Sequence, residues 1–253
     1  EYAQEYYRQS WRLPIFMPVA PVRGYAYTVT TVFPDPNVET TSVDGSVLKD
    51  TGASWAAVHD AADGDSAQDT SAAAVGAKVQ IVGGQYKIDR GFFLFDTSSI
   101  PDGDTIDSAT FRLSAANGSD EDNDGLDYIN IYTTTPASNT AIGTADYDQI
   151  GTTTQATAID ITGMTGTKGY GNATFTLNAT GLGNISKTGI TKFGIREGHD
   201  AENSAIDIGG ANALNQVNAD FAETAGTGSD PELAVTHVAA GGATLRNLMG
   251  VGN

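Results

Sequence analysis

The residues with the clearest chemical pattern lie in "SDEDNDGLD", Ser119 to Asp127. Asp120, Asp122 and Asp124 stand at positions 1, 3 and 5 of this loop, and Gly125 follows at position 6. In calcium-binding loops of this spacing, alternate carboxylates converge on one cation and the glycine permits the sharp turn. The bidentate glutamate expected at position 12 is missing, because that position is Ile131, inside the alternating segment "DYINIYTT". Asp127 is the carboxylate that could replace it. Asp120, Asp122, Asp124 and Asp127 therefore form the candidate metal site, with Ca2+ as the ion. The competing reading is a solvated acidic turn made by Asn117 and Gly118.

Two further acidic loops carry weaker patterns. "HDAADGDSAQD" holds Asp60, Asp63, Asp65 and Asp69 at irregular spacing, and "REGHDAENS" holds Glu197, His199, Asp200 and Glu202. Loops at one end of a β-sandwich cluster in space, so the latter could line a binding surface. No catalytic constellation emerges. His59, His199 and His237 share no metal-ligand spacing, and His237 is expected to face outward from the strand "ELAVTHV". There is no nucleophile elbow and no phosphate-binding glycine loop, so an enzyme is not expected, nor any cofactor beyond calcium.

The elements that would position these loops are short strands. The 253 residues include 30 glycines and no cysteine, and polarity comes mainly from Thr, Ser, Asn and Asp. Such a composition suits many strands joined by turns. Without cysteine, disulfides, thiolate zinc sites and cysteine nucleophiles are excluded. The formal net charge of −18 opposes binding to nucleic acid or anionic membranes and favours divalent cations. No apolar run reaches the length needed to cross a membrane as a helix.

Roughly ten short strands are expected between Tyr25 and Val238, giving an all-β antiparallel sandwich of the jelly-roll kind. In "SATFRLSA", Ala109, Phe111 and Leu113 share one face; Ile129 and Ile131 point inward in "DYINIYTT". "YKIDRGFFLFD" should place Ile88, Phe93 and Phe95 in the core, with Gly91 marking a bulge. Asp44-Gly45 reads as a turn, "TAIDITG" as a strand, and "GLGNISKTG" as one or two helical turns. One of Arg90 and Arg112 is expected to pair with Asp96.

The chain divides into an arm at 1–25, the sandwich at 26–238 and an apolar arm at 239–253. Three prolines break the first arm, and its apolar residues are too many for a free tail. Trp11, Leu13, Ile15, Phe16, Met17, Val19 and Val22 in one arm, and Leu245, Leu248, Met249 and Val251 in the other, form the candidate assembly interface. An extended apolar segment of this kind can add to a neighbour's sheet edge or lie in a groove.

"RGFFLFDTSSIPDGDTIDSATFRL", Arg90 to Leu113, resembles the "FLRFDLSSIPxGATIxSAxLRL" signature of DNRLRE-type jelly-roll domains. These are secreted or surface-associated sandwiches related in architecture to carbohydrate-binding modules. From Val32 onward, segments such as "TPASNTAIGTADYDQIGTT" and "FTLNATGLGNISKTGITKFGIREGHDAENS" are similar to virion structural components of tailed phages. The resemblance implies a non-enzymatic virion protein at the particle surface: a capsid decoration, head-fibre or tail-fibre component. Its partners would be other virion subunits and further copies of itself. The alternatives are a bacterial-surface carbohydrate-binding or adhesion module, using aromatics such as Trp55, Tyr86, Tyr147 and Tyr170 on a host glycan, or a donor-strand filament subunit.

Overall fold

A computed structural model describes residues 26–164, 173–209 and 212–240. In chain order the elements are β1 (Tyr27–Val32), β2 (Asp44–Gly52), α1 (Trp55–His59), β3 (Ser66–Gln68), β4 (Ala73–Val82), β5 (Gln85–Asp96), β6 (Thr105–Arg112) and β7 (Ala115–Ser119). There follow β8 (Tyr128–Thr134), a 3-10 turn (Thr144–Asp146), β9 (Ile150–Thr154), β10 (Ile159–Asp160), α2 (Ile161–Met164), β11 (Thr174–Thr176) and α3 (Ala179–Gly183). The described chain closes with β12 (Ile190–Glu197), α4 (Gly198–Glu202), β13 (Ala213–Asp220) and β14 (Glu232–Val238).

These strands make two antiparallel sheets packed as a sandwich, the fold class expected from composition and alternation. The smaller sheet has the order β1-β14-β6-β11; the larger runs β10-β8-β12-β5-β4-β13-β7, with β2, β3 and β9 added to it. Alternation explains the layer between them. Ala109 and Phe111 from β6, Leu113 just after it, Ile129 and Ile131 from β8, and Leu233 and Val235 from β14 are all buried in one cluster. Phe111 sits at its centre, with ring centroids 5.2 Å from Phe93, 5.4 Å from Phe95, 6.3 Å from Phe175 and 6.4 Å from Phe193.

A second apolar cluster lies on the other face of the larger sheet, joining Ile88, Phe92 and Leu94 to Val47, Val58, Tyr132 and Tyr147. Strand β5 is thus buried on both faces, which is why "GFFLFD" does not alternate. Ile88 belongs to this second cluster, on the face opposite Phe93 and Phe95. The expected bulge at Gly91 is absent: β5 runs in unbroken register with β12 from Gly91 to Asp96. Gly91 serves close packing instead, since a Cβ there would lie 2.5 Å from the Gly76 carbonyl oxygen.

Four other expectations are corrected. Asp44-Gly45 begins β2 rather than making a turn, and Gly45 leaves room for the Gln68 carbonyl of β3. Asn117-Gly118 lies within β7, where Gly118 pairs with Val217. "TAIDITG" gives only two strand residues before turning into α2. His237 faces inward, buried between Thr30 Oγ1 at 2.9 Å and Asp104 Oδ2 at 2.7 Å. Its parity with Leu233 and Val235 decides this, and the two partners satisfy its ring nitrogens. Of "GLGNISKTG", only the first three residues are helical, as the end of α3, which starts at Ala179 and is capped by the Asn178 side chain.

The apolar residues assigned to both arms lie outside the described residues. The first described strand, β1, is an edge strand with Tyr27 and Val29 exposed.

Buried carboxylates give this fold an unusual pH response. Burial pushes Asp89 up to about 7 despite the attraction of Lys78. Burial and the Asp220 charge push Asp230 up to about 6. Burial and the Glu223 charge also raise Asp44, which is fully buried with one oxygen accepting from the Ala222 N–H and the other without a hydrogen bond. In this window the folded state binds more protons than the unfolded chain, so stability falls as pH rises from about 4 through about 7. Asp35 has the opposite sign. Partial burial would raise it, but hydrogen bonds from Thr40 and Thr41 bring it to about 2, so its contribution is lost only as pH falls from about 4 toward 2. Chelator-treated protein is therefore expected to be more stable to urea at pH 5 than at pH 8. A stability that rises steadily from pH 4 to pH 8 would contradict this.

Candidate metal centre

Pairing register builds the site. Ile129 of β8 lies opposite Glu197 of β12, and Ser119 of β7 lies opposite Gln216 of β13. The 120–127 loop is thereby held between the end of β12 and the middle of β13. Gly198 allows the close approach, because a Cβ there would meet the Leu126 carbonyl oxygen at 2.1 Å. Asn123 and Gly125 take φ of +48° and +98°, conformations that these two residue types tolerate and that fold the loop back on itself.

Of the four carboxylates expected to act together, three converge, and Asp124 falls in a separate group. Asp120, Asp122 and Asp127 each bring a carboxylate oxygen within 4.8 Å of the others. Asp122 and Asp124 make a second such group with His199. The His199 side chain is completely buried and that of Asp122 is 2% exposed, whereas Asp124 is half exposed. One oxygen of Asp120, one of Asp122 and Nε2 of His199 are buried without a hydrogen-bond partner. Among buried polar groups such orphans are uncommon, and they are groups that a cation could satisfy.

A hydrogen-bonded frame surrounds these ligands. Asn215 Nδ2 reaches Asp122 Oδ1 at 2.8 Å, Glu197 Oε1 at 3.1 Å and Asp127 Oδ1 at 3.2 Å. Gly125 N–H donates to Asp127 Oδ2 at 3.1 Å. Glu197 caps α4 by accepting from the His199 N–H, and its Oε1 lies 2.9 Å from His199 Nδ1.

The electrostatics show like charges crowded together. Burial and the neighbouring Asp127 carboxyl push Asp122 up to about 6. Burial alone would also raise Asp127, but its hydrogen bonds with Asp122 and Gly125 hold it low, so the pair shares a proton. Burial, then the charges of Asp127 and Asp160, raise Asp120. Burial would lower His199, but Glu197, Asp122 and Asp124 overcome it and push the ring up to about 9. A divalent cation is the species that such a set stabilises best, by relieving repulsion and satisfying the unpaired oxygens.

The other two acidic loops resolve differently. Asp65 bonds Lys49 and the Asp50 N–H, Asp69 accepts from the Ile142 N–H, and Asp60 meets His59. No metal-ligand group among the described residues includes them. "REGHDAENS" is divided between two interiors. Glu197 and His199 join the 120–127 loop, while Asp200 turns to a buried pair of arginines and Glu202 meets the Tyr128 hydroxyl.

Asp200 is held by Arg90 through contacts of 2.9 and 2.6 Å and by Arg196 through contacts of 2.7 and 3.0 Å. Burial would raise its carboxyl, but the two guanidiniums hold it well below the usual carboxylate range. Arg90 also stacks over the Tyr147 ring at 4.1 Å and donates to the Tyr147 and His59 carbonyls. The expected partner of an arginine, Asp96, instead accepts from the Ser98 N–H, and Arg112 pairs with Glu232. Strand parity points Arg90 into the second core, and six residues of extended strand, roughly 20 Å, separate it from Asp96.

Of the aromatics a glycan surface would need, Tyr147 is fully buried. Trp55 is stacked on His59 and donates to Asn203 Oδ1, with Tyr86 edge-on to it. Tyr170 lies outside the described residues.

Fold and site together define an antiparallel β-sandwich with an acidic, histidine-backed centre at one end. No protein-family model matches the chain, and no curated protein does.

Proposed function

We propose that the protein is a non-enzymatic structural component of a tailed-phage particle, of the capsid-decoration, head-fibre or tail-fibre kind. The sandwich is the rigid unit displayed at the virion surface, its loop end clamped by Ca2+. The two terminal arms dock on other virion subunits or on further copies of the chain.

The observation that carries the structural reading is the convergence of Asp120, Asp122 and Asp127 beside His199 and Asn215, with buried oxygens left unpartnered. A cation there pins the two ends of the 120–127 loop together, and Asn215 of β13 holds Asp122 and Asp127 in turn, which is bracing rather than turnover. The virion assignment is supported by the resemblance of the segments from Arg90 onward and by the apolar terminal segments.

Deleting residues 1–24 tests the anchoring. The shortened protein should fold, because the deletion stops short of β1, yet fail to incorporate into particles. Full incorporation would overturn the proposal.

A further inference from the structure

Resting on the reading of a calcium clamp at Asp120, Asp122 and Asp127, we infer that His199, Asp122 and Asp124 form a second, dissimilar site for a divalent transition ion such as Zn2+, with Asp122 bridging the two ions.

Three observations carry it. First, the spacing suits a small ion. His199 Nε2 lies 3.0 Å from Asp122 Oδ2 and 3.4 Å from Asp124 Oδ2. Ligand atoms at Zn–N and Zn–O distances of about 2.0–2.1 Å are separated by about 2.9–3.4 Å in octahedral or tetrahedral arrangements.

Second, these contacts are not hydrogen bonds. Nε2 of His199 and Oδ2 of Asp122 are both buried and both lack a hydrogen-bond partner although only 3.0 Å apart. With the ring protonated the two atoms form an ion pair, and a bound ion would replace the Nε2 proton between them.

Third, the far side of the ring is prepared for ligation. His199 Nδ1 lies 2.9 Å from Glu197 Oε1, and Glu197 is fixed by Asn215 and by the His199 N–H. Once the ion displaces the Nε2 proton, a carboxylate at Nδ1 fixes the tautomer whose Nε2 carries the lone pair, the usual support of a metal-bound histidine. Nitrogen with carboxylate oxygen suits Zn2+ and its neighbours, whereas the Asp120, Asp122 and Asp127 set is oxygen alone and suits Ca2+. Asp122 is common to both sets.

The test uses the full chain, stripped with chelator and then given Zn2+, Ca2+ or both, with stoichiometry read by native mass spectrometry and affinity by calorimetry. The expected result is one Zn2+ and one Ca2+ bound together. Asp124→Asn, at a half-exposed side chain whose Oδ1 can still accept the Leu126 N–H, should weaken Zn2+ by at least about tenfold, of the order seen when a supporting ligand is lost, and leave Ca2+ unchanged. Asp120→Asn should do the reverse. In the wild-type protein, long-range 1H–15N spectra should show the His199 Nε2 resonance shifting with Zn2+ and not with Ca2+ alone. Zn2+ displacing Ca2+ one for one would overturn the second site, as would Ca2+ binding without Zn2+, and both outcomes leave the calcium clamp standing. Binding of neither ion would remove both.

Discussion

Asp200→Ala should be among the most damaging single substitutions in this protein, lowering stability by roughly 3–5 kcal/mol. Asp200 is 1% exposed, and its carboxylate accepts four contacts from Arg90 and Arg196. Both arginines are themselves buried. Removing the carboxylate leaves two guanidiniums in a dry interior facing each other without compensation. Breaking a buried pair from one side costs far more than the pair itself contributes. The effect should be constant from pH 5 to pH 8, because the arginines hold Asp200 ionised well below that range. Urea unfolding measures it directly. A loss under about 1 kcal/mol, the range typical of exposed pairs, would mean that water reaches the cluster.

Phe111→Ala should cost about as much, roughly 3–5 kcal/mol. Its ring touches Phe93, Phe95, Phe175 and Phe193, so it joins the two sheets through β5, β6, β11 and β12. Truncation removes buried apolar surface and leaves a cavity that four aromatic rings on paired strands cannot collapse to fill. Phe111→Leu, which keeps most of the volume, should lose appreciably less. Equal losses for the two variants would indicate that a specific ring geometry, rather than filled volume, is what the core requires. The same urea titration distinguishes these outcomes.

Much of the fold was legible because alternation is a local property. Ala109, Phe111 and Leu113 declare their face within six residues, and so do Ile129 and Ile131. Where the reading failed, a tertiary constraint overrode a local one. Asp44-Gly45 and Asn117-Gly118 carry turn chemistry yet lie in strands, the first because β3 needs the space that a glycine leaves. Gly91 looked like a bulge for a similar reason, while its role is to let the Gly76 carbonyl approach. Arg90 could not be paired correctly, because nothing in the sequence says that β5 has a second buried face.

The candidate site divides the same way. The four aspartates were visible in one loop through their spacing. His199 and Glu197 stood in another acidic segment 70 or more positions away, and only the opposition of Ile129 and Glu197 across β8 and β12 brings them together. Asn215, which bonds three of the acidic side chains, sits in a strand whose sequence gives no sign of it.

Calcium binding is the central claim, and thermal unfolding of chelator-treated protein with and without added Ca2+ tests it most directly. At a free Ca2+ concentration 100 times the dissociation constant, binding to the folded state alone adds about 2.7 kcal/mol. For a chain of this size that raises the melting temperature by roughly 5–11 °C. Mg2+ at the same concentration should give less, since it demands tighter octahedral geometry and sheds water reluctantly. Asp120→Asn should abolish most of the shift while leaving the melting temperature of the chelated protein nearly unchanged. An unchanged melting temperature in the wild-type protein at millimolar Ca2+, or an equal shift in Asp120→Asn, would contradict the clamp.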